Sequence, residues 1–279
     1  MDGFRFQVGG DEFAFRQVRD HKKLEELFWD RDICCAITAV MEARGVIVRG
    51  AKPDGETIGC LFSLMSALYG FWIHPLACAR YGKDQGLKRL TFFPRRGLPY
   101  HTHRSFLDLF VRNNRLVSAW PMYLEAALPG FIAQRNDLNL RSICRQLVEA
   151  QAALVVESRV SVLLLCLEQI CTRYLAAKGI EMRDAPLQDK ANRCNQSLRC
   201  LSKSFRNQLP SYRENLRNAL FHEGATKEKD TMKLYGISLD MLNACVLLLS
   251  AICGYRGELR LADLQRGETT LSVDAAGNA

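Results

Sequence analysis

Arg217, Asn218 and His222 are side chains of the types that perform acid–base and phosphate chemistry. Histidine titrates near neutral pH, so it can take up or release a proton. The planar fork of arginine fits two phosphate oxygens, and asparagine can orient a histidine or bind phosphate itself. Metal-free RNA cleavage needs a base for the 2′-hydroxyl, an acid for the 5′-oxygen and cationic donors for the phosphorane. These three residues could supply such groups.

The spacing of arginine and histidine carries little weight alone. The chain has five histidines, and an arginine, four to six residues and then a histidine also occurs at Arg16–His21, Arg95–His101, Arg96–His101 and Arg96–His103. The context of Arg217 and His222 is different. We expect one helix over residues 211–223, in which Ser211 and Glu214 form a capping box. On that helix Asn218 and His222 share a face, and His222 lies in the last turn, where the helix dipole favours the imidazolium.

Three segments together resemble the HEPN superfamily, in particular its ApeA-like branch. Residues 216–224 resemble the signature helix, residues 157–170 resemble the long helix of that branch, and residues 253–257 resemble its Gly-Tyr-x-Gly ending. The resemblance covers roughly residues 135–265. It implies an endoribonuclease that needs no metal or other cofactor, with Arg217, Asn218 and His222 as catalytic residues. It also implies a homodimer with a composite active site, a role as a toxin or antiviral defence effector, tRNA as a common target, and an antitoxin or regulatory protein as partner.

Other interpretations of these residues remain open. Arg217 and His222 could be a solvated pair at a helix end. Glu168, which follows a wholly apolar helical stretch, could form a buried ion pair with Arg217 or another arginine. His101 and His103 would share a face in an extended strand, but without neighbouring ligands they give only a weak hint of a metal.

The net charge of +8 permits a polyanionic partner. Residues 83–115 hold eight basic residues against two acidic ones, and residues 189–217 hold seven against two. We assign RNA binding to members of these two runs, namely Lys88, Arg89, Arg95, Arg96 and Arg213. A catalytically inactive RNA-binding or scaffold protein is therefore the alternative function.

The 11 cysteines form no C-x-x-C pair, and no secretion signal is visible. This composition favours reduced core thiols in a cytoplasmic protein without a structural metal. Residues 57–79 contain no Lys, Arg, Asp or Glu, which raises the hypothesis of a membrane span. Glycine, serine, histidine and proline dilute this segment, so we favour a buried helix followed by a strand, and no membrane partner.

The remaining pattern predicts the elements that position the site. A hairpin is expected over residues 76–93. Helices are expected over residues 61–72, 105–116 and 120–128, one long helix or two over residues 138–178, and a last helix capped by Ser238. Pro129 should stop the helix over residues 120–128, and Gly179 should end the helical stretch over residues 138–178. We therefore predict an α+β fold: a small mixed α/β N-terminal domain over residues 1–100 that recognises a target or signal, an all-α antiparallel HEPN-type helical bundle over residues 101–267, and a disordered tail over residues 268–279.

Overall fold

The structure, a computed structural model, describes residues 4–8, 11–16, 42–46, 55–70, 77–81, 87–92, 110–112, 115–117, 120–212, 216, 230–263 and 267–272. The described helices are α1 (Gly55–Tyr69), α2 (Trp120–Gln134), α3 (Leu140–Ala152), α4 (Val156–Ala177), α5 (Leu187–Leu198), α6 (Lys203–Tyr212) and α7 (Thr231–Ile252). The described strands are β1 (Phe4–Val8), β2 (Asp11–Arg16), β3 (Glu42–Val46), β4 (Ala77–Tyr81), β5 (Leu87–Phe92), β6 (Phe110–Arg112), β7 (Arg115–Val117), β8 (Glu258–Asp263) and β9 (Gly267–Ser272).

The strands form small separate sheets. Strands β1, β2 and β3 make an antiparallel sheet in that order, while β4–β5, β6–β7 and β8–β9 are antiparallel pairs. Phe6 of β1 lies opposite Phe13 of β2, and their rings stack with centroids 5.0 Å apart. Pair β4–β5 lies where the sequence predicts a hairpin. Pair β6–β7 replaces the helix expected over residues 105–116, of which residues 105–109 lie outside the described part.

One apolar core joins the helices. Helix α4 is apolar on nearly all sides and contacts α3, α5 and α7. Phe6 of β1 and Leu259 of β8 belong to the same buried cluster. Because each fully buried Leu, Val, Ile or Phe contributes about 1.5–3 kcal/mol, this shared core is the main force that fixes α4 between its neighbours.

Helix α4 runs parallel to two of its neighbours. Arg159 of α4 contacts Tyr235 of α7. Leu163, further along α4, contacts Cys245, further along α7. On α5, Lys190 and Cys194 likewise meet Glu168 and Cys171 of α4. Helix α3 is antiparallel to α4, because only residues 153–155 separate them. The longer connection before α5, residues 178–186, allows the chain to return and start again at the same end.

These findings correct the predicted fold class. The described part is mostly helical, and no mixed sheet forms a small α/β N-terminal domain within it. Helix α1 instead packs against α2 and α3, since its buried faces need helical neighbours that short strands cannot provide. The expectation of an all-α antiparallel bundle is also wrong: α4 has parallel partners and the β8–β9 hairpin follows α7. Residues 268–272, expected in a disordered tail, belong to β9. The boundary near residue 100 lies outside the described residues and stays a prediction.

Of two predicted helix ends, the one at Gly179 is confirmed and the one at Pro129 is wrong. Gly179, with φ of 72°, ends α4 as predicted, and the N–H of Ile180 donates to the carbonyl of Leu175. Helix α2, in contrast, continues through Pro129 to Gln134. It does so because Gly130 lies against the backbone of Cys253: a Cβ on Gly130 would be 2.1 Å from that carbonyl oxygen. Close packing between α2 and the end of α7 thus outweighs the local preference to stop.

Helices α4 and α7 are long and apolar enough to cross a bilayer by length and composition alone. However, 50% and 78% of their apolar stretches are buried in the protein, so the two helices are weak evidence for a membrane span. Helix α1, within the segment that raised the membrane hypothesis, has 15 residues, fewer than the roughly 20 that a span needs.

Candidate functional site

The three predicted catalytic residues, Arg217, Asn218 and His222, lie outside the described residues, as does Arg213. The chain on either side is described. Helix α6 ends at Tyr212, which is buried, Leu216 is 1% exposed within the core, and Asp230 caps α7. The residue immediately before Arg217 is therefore anchored in the bundle.

The predicted capping box is wrong. Ser211 lies in the last turn of α6 and so does not begin a new helix. The cap of α6 is Ser202, whose hydroxyl accepts the N–H of Phe205 at 3.1 Å. Pro210 lies inside α6, so it did not mark a helix start. Likewise, Asp230 caps α7 by accepting the N–H groups of Met232 and Lys233, whereas Ser238 is buried within that helix.

The first basic run is described only in part. Lys88 and Arg89 belong to β5, where the backbone of Arg89 lies opposite Arg80 of β4. Arg95 and Arg96 lie outside the described residues. The antiparallel register thus pairs the backbone positions of two basic residues.

The second basic run divides into buried and exposed residues. Lys190 is 1% exposed, and its ammonium lies 3.3 Å from Glu168 and donates to the carbonyl of Arg183 at 2.8 Å. Glu168 was expected to pair with Arg217 or another arginine; the ion pair shown within the described part is with this lysine. Lys190 is consequently a structural cation and not a phosphate ligand.

An exposed cationic surface remains at the corner between α5 and α6. We define this basic corner as Arg193, Arg199 and Lys203, all of them exposed. Arg206 supports it by donating to the side chain of Asn192 at 2.7 Å, which holds α6 against α5. Arg199 ends α5 in a left-handed conformation, with φ of 51°, and directs the chain into the turn. Because they are exposed and the described part shows no carboxylate paired with them, these cations suit a polyanion.

Sequence analysis did not single out Arg159, whose environment is unusual. It lies in the first turns of α4 and is 5% exposed, and its guanidinium stands 5.4 Å from the ring centroid of Tyr235 on α7. Burial lowers the pKa of Arg159, and a hydrogen bond to Tyr235 opposes that shift. The available signal was a lone cation in the apolar run from Leu154 to Leu167.

The cysteines whose side chains the structure describes are free and buried. Burial raises the pKa of Cys200 to about 12 and raises the pKa values of the Cys144 and Cys253 thiols. Such thiols stay protonated and are poor nucleophiles. No group of three or more His, Cys, Asp or Glu side chains that could hold a metal occurs among the residues the structure describes.

Comparison with known proteins adds no relative. No family model matches the chain, and neither the curated proteins nor the solved structures contain a match. The functional assignment therefore depends on the residues themselves.

Proposed function

We propose that this chain is a metal-independent endoribonuclease of the HEPN type. The observation that carries the proposal is the residue set Arg217-Asn218 and His222, directly after the buried Leu216. Transition-state stabilisation by a charged donor demands a fixed position for that donor. The residue directly before Arg217 in the chain is buried in the bundle.

In the proposed reaction a histidine removes the proton of the RNA 2′-hydroxyl, and the 2′-oxygen attacks the adjacent phosphorus. A protonated histidine gives its proton to the departing 5′-oxygen. Arg217 neutralises the charge of the phosphorane, and Asn218 orients His222 or binds a phosphate oxygen. The products are a 2′,3′-cyclic phosphate and a free 5′-hydroxyl. In a homodimer whose two copies face each other, His222 of one copy serves as the base and His222 of the other copy serves as the acid.

The proposed partners follow from the same chemistry. The substrate is RNA, with tRNA as the first target to test, and the basic corner offers exposed cations for its backbone. In a toxin or antiviral defence role in the cytoplasm, an antitoxin or regulatory protein would hold the activity in check.

An inactive RNA-binding or scaffold protein is the second candidate function. The exposure of Arg193, Arg199 and Lys203 favours it, because these residues can bind phosphates without any catalytic group. Under this alternative His222 is dispensable while the cations are not.

Cleavage in the presence of EDTA separates the two functions. Purified protein is incubated with tRNA and total RNA, beside His222→Ala, Arg217→Ala and the control His101→Ala, whose histidine belongs to one of the chance Arg…His matches. We expect cyclic-phosphate ends from the wild type and from His101→Ala, and a loss of at least about a hundredfold in the other two variants. No cleavage by wild type, or equal cleavage by all variants, would refute the nuclease.

A further inference from the structure

Arg159 has an unusual environment for a cation. Only 5% of its surface is exposed, yet the structure shows no ion pair between it and any described carboxylate. Its Nε is buried without a hydrogen-bond partner. The described contact of the guanidinium is with the face of the Tyr235 ring, 5.4 Å away.

Within the described part of the chain, this arrangement leaves the charge of Arg159 without a counter-ion and its Nε–H without an acceptor. A guanidinium has five N–H donors in a fixed fork, and a single tyrosine satisfies few of them. Buried charges in proteins are normally paired, because leaving water without a counter-ion is costly. A stacked arginine with a free donor edge is thus suited to an oxyanion that supplies both acceptors and charge.

The surroundings of Arg159 add to the positive potential. Helices α4 and α7 run parallel, so the amino ends of both lie at the end of the bundle where Arg159 meets Tyr235. The N-cap of α4 is Val155, whose side chain makes no capping hydrogen bond. The described acidic groups near this end include Glu157, two positions from Arg159 and hence on another face of α4, and Asp230, which accepts N–H groups of its own helix. Glu149, near the carboxyl end of α3, also lies toward this end and pairs with Arg145. Tyr235 is half-buried and borders solvent, which gives a ligand access.

We propose that Arg159 binds a phosphate of an RNA backbone, with Tyr235 as the residue that positions its guanidinium. The identity of the ligand as RNA rests on the proposed function. The phosphodiester oxygens accept two parallel hydrogen bonds from the fork of Arg159, while Tyr235 holds the plane of the fork by stacking and by its hydroxyl. Arg159 binds and orients the backbone, a role separate from the proton transfers assigned to His222.

Equilibrium binding of a 2′-O-methylated single-stranded RNA tests this role without cleavage. Dissociation constants are measured in EDTA for wild type, Arg159→Gln, Arg159→Lys, Tyr235→Phe and Tyr235→Leu. The matched control is Arg173→Gln, which removes the same charge from the same helix. We expect a loss of affinity of about tenfold or more for Arg159→Gln and Tyr235→Leu, a smaller loss for Arg159→Lys and Tyr235→Phe, and at most about threefold for Arg173→Gln.

A second arm distinguishes RNA from free phosphate. Inorganic phosphate and pyrophosphate are titrated while Tm is followed in wild type and Arg159→Gln. RNA affinity that is unchanged in Arg159→Gln overturns the proposal, and if phosphate still raises Tm only in wild type, the site takes free phosphate instead. Should Arg159→Gln fail to fold, Arg159→Lys and Tyr235→Phe decide, since both preserve most of the packing. Binding without cleavage by wild type would defeat the nuclease while leaving Arg159 as a phosphate ligand.

Discussion

The ammonium of Lys190 lies 3.3 Å from a carboxylate oxygen of Glu168, although Lys190 is only 1% exposed. The pair joins α5 to α4, and the additional hydrogen bond from Lys190 to the carbonyl of Arg183 ties down the connection between those helices. Lys190, which the sequence places in a cationic run, therefore connects two parallel helices through a buried ion pair.

Breaking this pair should destabilise the protein unequally. Glu168→Ala leaves the buried Lys190 without its counter-ion and should lower the free energy of unfolding by about 2–4 kcal/mol. Lys190→Met leaves a carboxylate that is 28% exposed and can be hydrated, so about 1–2 kcal/mol is expected. Urea denaturation measures both, with Arg145→Met, from an exposed pair with Glu149, as a control near zero. Equal losses from all three variants would contradict the structural role.

The contact of Gly130 with Cys253 predicts a large effect from one methyl group. In Gly130→Ala the new Cβ would be 2.1 Å from the Cys253 carbonyl oxygen, so α2 and the end of α7 must separate. We expect a loss of about 3 kcal/mol or more, at the upper end of overpacking effects. Gly179→Ala is the control: nothing lies within 4 Å of its Cβ, and only its φ of 72° is strained, which costs about 1 kcal/mol. Thermal unfolding that ranks Gly179→Ala as the more damaging change would refute this packing.

The buried thiols predict a loss of stability at alkaline pH. Burial raises the pKa of Cys200 from 9.0 in water to about 12. The folded state thus keeps a proton that the unfolded state loses, so the stabilisation is complete below about pH 9 and is lost as pH rises toward 12. Each such group contributes a slope of about 1.4 kcal/mol per pH unit in that window. Urea midpoints between pH 8 and pH 11 should fall more gently in Cys200→Ala than in wild type. Identical slopes would show that Cys200 does not titrate as its burial implies.

How much of this molecule was predictable depends on how local each signal is. The end of α4 was predictable, because Gly179 adopts its left-handed conformation for reasons within its own turn. The passage of α2 through Pro129 was not, since it depends on the distant backbone of Cys253. Ser211 resembled a cap by composition, but α6 had already begun at the cap formed by Ser202. Parallel packing of α4 with α7 leaves no trace in periodicity, which reports a buried face and not a direction.

The candidate site divides in the same way. Arg217 and His222 were chosen from residue type and neighbours, and they lie outside the described residues. Lys190 was assigned to a cationic run because charge counts ignore burial. Arg159 could have been suspected as a lone cation among apolar residues, but its stacking on Tyr235 requires the approach of two helices distant in sequence.

Salt dependence of RNA binding distinguishes surface cations from buried ones. Each phosphate contact releases counterions, so removing one contact should make the slope of log affinity against log salt less steep by about 1. Arg199→Asn and Lys203→Gln, made together in the basic corner, should flatten the slope by about 1–2, because both side chains are exposed. Lys190→Met removes the same type of charge but should leave the slope unchanged, since its ammonium is already paired with Glu168. Fluorescence anisotropy with a 2′-O-methylated RNA over a salt series measures all three proteins. If Lys190→Met flattened the slope as much as the double variant, the charge that binds RNA would not be the exposed charge, and the basic corner would lose its proposed role.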